Sequence, residues 1–110
     1  MNVKRIDELV NYLRFDNVGC FDMGRHEHCI MGKAAILFNN PSLHTTFDLR
    51  EFLDVPEERF EDFRLLLACG SWGLSQKACN NQHLDNPIVA SFALEAWALG
   101  ATASEAWESV

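Results

Sequence analysis

Cys20, His26, His28 and Cys29 lie close together in the chain, and Cys79 and His83 stand four positions apart further along. Thiolate sulfur and imidazole nitrogen are the ligands of tetrahedral zinc, and a cysteine and a histidine one helical turn apart can share an ion. Cys20, His26, Cys79 and His83, or a subset of them, are therefore the metal candidates. Their spacing argues against a site. There is no C-x-x-C knuckle, and His28 and Cys29, as neighbours, point to different sides of a helix. The expectation is no cofactor, with a small zinc-stabilised structural module as the alternative.

The same stretch permits a thiol nucleophile, because Cys29 sits near the start of an apolar run that reads as a helix. A helix N-terminus lowers a thiol pKa, and a neighbouring histidine can take the proton. What the sequence lacks is an oxyanion donor set, an orienting acid or the local signature of a thiol enzyme. A non-enzymatic protein is the expectation. Cysteine otherwise behaves as a small, buried hydrophobe, so Cys29 and Cys69, each beside apolar residues, are expected in the core. His26 and His28 then bond to backbone or water where the helix begins.

Charge gives the other candidate. Residues 48 to 62 hold seven acidic side chains against Arg50 and Arg59, within a chain of net charge −7 that has no lysine or arginine after Lys77. Glu51, Asp54, Glu57, Glu58, Glu61 and Asp62 are the partner-binding candidates. The outline "DLREFLDVPEERFEDFRLLL" is that of a helix-turn-helix, yet its second helix offers acids where phosphates and base edges would need basic and amide groups. No direct nucleic-acid partner is expected, nor an acidic membrane. A basic surface would attract this face.

These groups must be positioned by helices. Val3, Ile6, Leu9, Val10 and Leu13 form one apolar stripe, with Lys4, Asp7, Glu8 and Asn11 opposite. "DNVGCFDMGRHEH" has no period and reads as a loop or a short extended pair, and "CIMGKAAILF" as a buried helix stopped by "NNP", with Gly32 admitting the close approach of another helix. Asp48 with Glu51, and Asp54 with Glu57, are possible capping boxes for two helices joined by a tight turn near Asp54 and Val55. Pro56 is tolerated in a first turn, and Gly70 is the stop. A polar loop or short helix follows. Asn86, Pro87 and Gly100 then bound a helix whose one charge, Glu95, predicts burial on nearly all sides, by internal packing rather than across a dimer seam. Thr102 and Glu105 make a last capping box.

The sum is an all-α single domain, residues 1–110, of five or six helices. A chain of 110 residues, 48% hydrophobic, can bury a core without staples. No run of residues is apolar enough for a membrane span, and the charged start "MNVKRIDEL" is unlike a signal peptide, so a cytoplasmic protein with free thiols is expected.

Phe21, Asp22 and Met23 after a first amphipathic helix, then Cys29, Ile30, Gly32 and Ala34 in "CIMGKAA", then "REFLDVPEERFEDF", give a layout that resembles a loose family of small uncharacterised proteins of bacteria and their phages. The resemblance spans residues 3 to 66, and Gly24, Arg25, His26 and Glu27 stand where members of that type often carry a cysteine, a glycine and a threonine. It implies a mobile-element accessory protein and no particular reaction. In size and acidity the chain is similar to anti-CRISPR inhibitors. The expected function is a non-enzymatic protein that binds a basic face of a host protein or ribonucleoprotein and blocks its nucleic-acid binding. A monomer is favoured over a homodimer.

Overall fold

A computed structural model describes residues 1–82 and 85–110, and no strand occurs among them. Helix α1 (Val3–Asn11) starts where the Asn2 side chain accepts a hydrogen bond from Arg5 N–H. It continues as a π turn, Tyr12–Asp16, that keeps Leu13 in line with Ile6, Leu9 and Val10, all four buried. Val3, at the end of the stripe, is instead 63% exposed.

After the loop to Cys29 come α2 (Ile30–Leu37), α3 (Thr46–Phe52), a 3₁₀ turn (Glu57–Arg59) leading into α4 (Phe60–Leu67), α5 (Gln76–Asn81), α6 (Pro87–Ala98) and α7 (Ala103–Glu108). The fold is all-α, as its patterns predict, with seven α-helices among the described residues, the two shortest being α5 and α7. Its Cα radius of gyration of 12.4 Å is close to the roughly 13 Å of a compact chain this long. One core cluster gathers side chains from every helix.

Helix ends follow local chemistry. Ser75, Asn86 and Thr102 cap α5, α6 and α7, and the Thr102–Glu105 box is complete. In α3 the box is Thr45–Asp48, three residues ahead of the expected Asp48–Glu51. That register puts Leu49 and Leu53 fully inside, and Asp48 serves as the N3 partner of the cap instead of as the cap. Asp54 caps nothing. It takes a left-handed φ of 53° just past α3, with its N–H on Glu51 C=O and the Val55 N–H on Arg50 C=O, so the tight turn is a Schellman ending. Asn39 closes α2 and Gly100 closes α6 in the same way. Gly70 does not stop α4, which leaves helical geometry at Ala68.

The core is organised around α6, which packs on α1, the π turn, α4 and α7. Trp97 and Trp107 are both fully buried, their indole N–H groups donating to Asp62 and to Leu66 C=O at 2.7 and 3.0 Å. Two expectations fail here for physical reasons. α2 is not buried all round: its lysine is the inward residue, Lys33 being 2% exposed with its amine on Val18 C=O at 2.8 Å, while Ile36 faces solvent. Gly32 does admit a close approach, but of the preceding loop. A Cβ there would collide with the Glu27 carbonyl group and stand 2.6 Å from His26 O. Nor is α6 covered on nearly all sides. Ile88, Phe92 and Leu99 remain 47%, 45% and 85% exposed.

Candidate functional site

The loop that carries the histidines is held by its own backbone. His28 C=O accepts from Asp22 N–H, His28 N–H donates to Arg25 C=O, and Arg25 N–H donates to Asp22 C=O. The Asp22 carboxylate accepts from Gly24 N–H at 2.8 Å and lies 3.6 Å from Arg25. Cys29 occupies the N-cap position of α2 with no side-chain capping bond, and its thiol donates to His26 C=O at 3.2 Å. It is buried, as expected of a core cysteine. The thiol therefore faces a carbonyl rather than an imidazole.

The metal candidates are dispersed. Cys20 and His26 are exposed in the loop before α2, whereas Cys79 is half-buried on α5, its sulfur 3.8 Å from Ser71 C=O. His83, the fourth candidate, lies outside the described residues. Among the described residues no three His, Cys, Asp or Glu side chains gather as a metal site would need. Cys69 is exposed, contrary to expectation, because α4 ends at Leu67 and no longer carries it along the buried stripe.

The acidic stretch divides. Glu51, Asp54, Glu57 and Glu58 are exposed, and their carboxylates have no hydrogen-bond or ion-pair partner among the described residues. Glu61 is exposed but forks onto Arg64, whose hydrogen bonds hold its carboxyl below the usual range. Asp62 points inward. One of its oxygens accepts the Trp97 indole N–H at 2.7 Å, both accept from Ala103 N–H at 3.0 and 3.1 Å, and Arg59 stands 3.6 Å away. It serves the start of α7, where a negative charge meets free N–H groups.

The interleaved arginines are engaged within the chain. Arg59 donates to Trp97 C=O at 2.9 Å and Ala101 C=O at 2.7 Å and lies over the Trp97 ring, so it satisfies the carbonyl end of α6. Arg50 is stacked between Phe60 and Phe47, 3.8 and 4.3 Å from the ring centroids. Elsewhere Arg5 donates to Phe52 C=O at the end of α3, and Arg14 binds Ser91 and Glu95 on α6. These long-range bonds have no local signal in the sequence. They leave Lys4 and Lys77 as the two lysine or arginine side chains without a partner among the described residues.

Beside the free acids, a hollow of about 450 Å³ opens between α3 and α4, lined by Thr46, Phe47, Arg50, Glu57, Phe60, Glu61 and Arg64. Two phenylalanines supply its apolar lining, and two arginines and two glutamates its charge. Neither a protein-family model, nor a curated protein, nor a solved structure matches this chain. No described helix is long and apolar enough to cross a membrane.

Proposed function

We propose that the protein is a non-enzymatic interaction factor whose acidic α3–α4 surface occupies a basic face of a larger protein or ribonucleoprotein and keeps nucleic acid from it. One observation carries this reading. Glu51, Asp54, Glu57 and Glu58 stand free at the surface while the two arginines among them, Arg50 and Arg59, are held by aromatic rings and backbone carbonyls. The side chains of this segment that stand outward and unpaired are thus all acidic.

Like-charge contact excludes phosphate ligands from such a face, and opposite charge speeds and orients the approach of a basic one. The exposed ring of Phe47 beside the hollow adds an apolar and aromatic contact for arginine or lysine side chains of the partner. A phage or mobile-element origin, and an action like that of anti-CRISPR inhibitors, fit the size and acidity and the resemblance across residues 3 to 66. The site of action would be the cytoplasm.

The decisive experiment changes Glu51, Asp54, Glu57 and Glu58 together to lysine and leaves Asp62 in place to preserve the fold. Tagged wild-type and variant chains are used to capture partners from bacterial lysate, with and without nuclease. The reading expects a basic partner that the wild type retains after nuclease and the variant loses. Undiminished capture by the folded variant would sink it.

A further inference from the structure

We infer that the exposed stripe of α6 is a self-association seam, on which a second copy of this chain packs antiparallel about a two-fold axis. Ile88, Phe92, Glu95 and Leu99 follow one another at intervals of four, three and four residues and reach the surface, Glu95 as a half-buried residue whose side chain is 45% exposed. That interval is the a/d spacing of helices that pack knobs into holes. The remaining faces of α6 are used internally by Ala90, Ser91, Ala93, Leu94 and Trp97. Ala96 and Ala98, half-buried, border the stripe and leave room for a second helix to come close.

The choice of a second copy rests on symmetry and charge. The spacing reads the same from either end, so an antiparallel pair sets Ile88 against Leu99 of the other copy and Phe92 against its Glu95. Beside Leu99 lies a hollow of about 240 Å³ with Met1, Val3, Ile6 and Ala98 as its apolar lining and Asp7 and Glu95 as its acidic one, and the apolar part can receive the incoming Ile88 side chain. Arg14 lies 3.9 Å from the centroid of the Phe92 ring and bonds Glu95 of its own chain at 3.3 Å. In the pair, each Glu95 meets the Phe92 over which the other copy's Arg14 is stacked. Each carboxylate then faces a guanidinium across the axis.

Each copy carries a net charge of −7, so added salt screens their repulsion and favours the pair. Salt has the opposite effect on an acidic face that binds a basic partner, so the two readings fail separately.

The test is sedimentation equilibrium of the full chain from about 10 to about 500 μM at low and high salt. The expected result is a mass that rises with concentration from 12.5 kDa toward twice that value, more readily at high salt. Leu99→Lys and Ile88→Lys, both at exposed positions, should each raise the dissociation constant at least about tenfold with circular dichroism unchanged. Mixing Ile88→Lys with Leu99→Glu should restore the pair, whereas Ile88→Lys with Ile88→Glu should not. A monomer throughout, a dimer indifferent to both lysines, or rescue by the 88–88 combination would overturn the proposal.

Discussion

Replacing Asp62 with alanine tests whether the acidic run contains one structural member among its surface members. The carboxylate holds the Trp97 indole N–H and the first N–H of α7 and sits beside Arg59. Trp97 is fully buried, so its N–H would lose its protein acceptor, which costs about 1–3 kcal/mol, toward the lower end because the Asp62 position is partly open to water. Loss of the anion at the start of α7 adds about 0.5–2 kcal/mol. Arg59 keeps its two backbone carbonyls and adds little. Because these groups share one site their effects overlap, and the expected total is about 2–4 kcal/mol out of a stability of roughly 5–15. Asp62→Asn, which retains one acceptor oxygen, should cost about half as much. Glu58→Ala should stay within about 0.5 kcal/mol of the wild type. Urea unfolding followed by tryptophan fluorescence reads all three. If Asp62→Ala falls within about 0.5 kcal/mol of Glu58→Ala, the inward role assigned to Asp62 is refuted.

Gly32→Ala places a methyl group against the Glu27 carbonyl and should lower stability by about 1–3 kcal/mol in the same unfolding assay, since backbone must move to admit it. Gly100→Ala should cost about 1–2 kcal/mol, because φ there is 117°, whereas Asp54→Gly, which relieves a non-glycine residue at φ 53°, should gain a few tenths of a kcal/mol. Thermal melts can rank the pair. The carboxyls of Asp48 and Glu105 are held below their ordinary values, chiefly by the N–H groups of His44 and Thr102 respectively. A carboxylate whose folded pKa is depressed stabilises fully above its unfolded value of about 4 and loses that contribution as pH falls through the folded value. Stability should therefore decline below about pH 4, and less steeply in an Asp48→Asn, Glu105→Gln variant measured by denaturant titration.

Much of the fold was legible because its signals are local. The stripe of α1, the Asn86–Pro87 start of α6, the Gly100 ending and the Thr102–Glu105 box each depend on residues within one or two turns. The Thr45–Asp48 box lies three residues ahead of the Asp48–Glu51 spacing because aspartate serves equally as N-cap or as N3, and the burial of Leu49 and Leu53 decides between them. Lys33 and Ile36 defied polarity because a backbone carbonyl fifteen residues away, that of Val18, was placed to accept the amine. No periodicity carries that information. The same holds for Asp62, whose partners lie 35 and 41 residues further along the chain.

The candidate site was therefore visible as a composition and not as a geometry. Counting charges in residues 48 to 62 finds a negative segment, but only the partners of each charge say which acids a ligand can meet. Every arginine from Arg50 to Arg64 is engaged by a ring, a carbonyl or a carboxylate, and the same fold that engages them turns Asp62 inward and occupies Glu61. What remains outward, Glu51, Asp54, Glu57 and Glu58, straddles the Schellman turn and the 3₁₀ turn between α3 and α4. A charge reversal confined to those four alters the surface without touching a structural bond, whereas one that includes Asp62 changes both at once. Loss of binding in the first variant is a statement about recognition. Loss in the second would report unfolding as readily as recognition, which is why the two must be compared at matched stability.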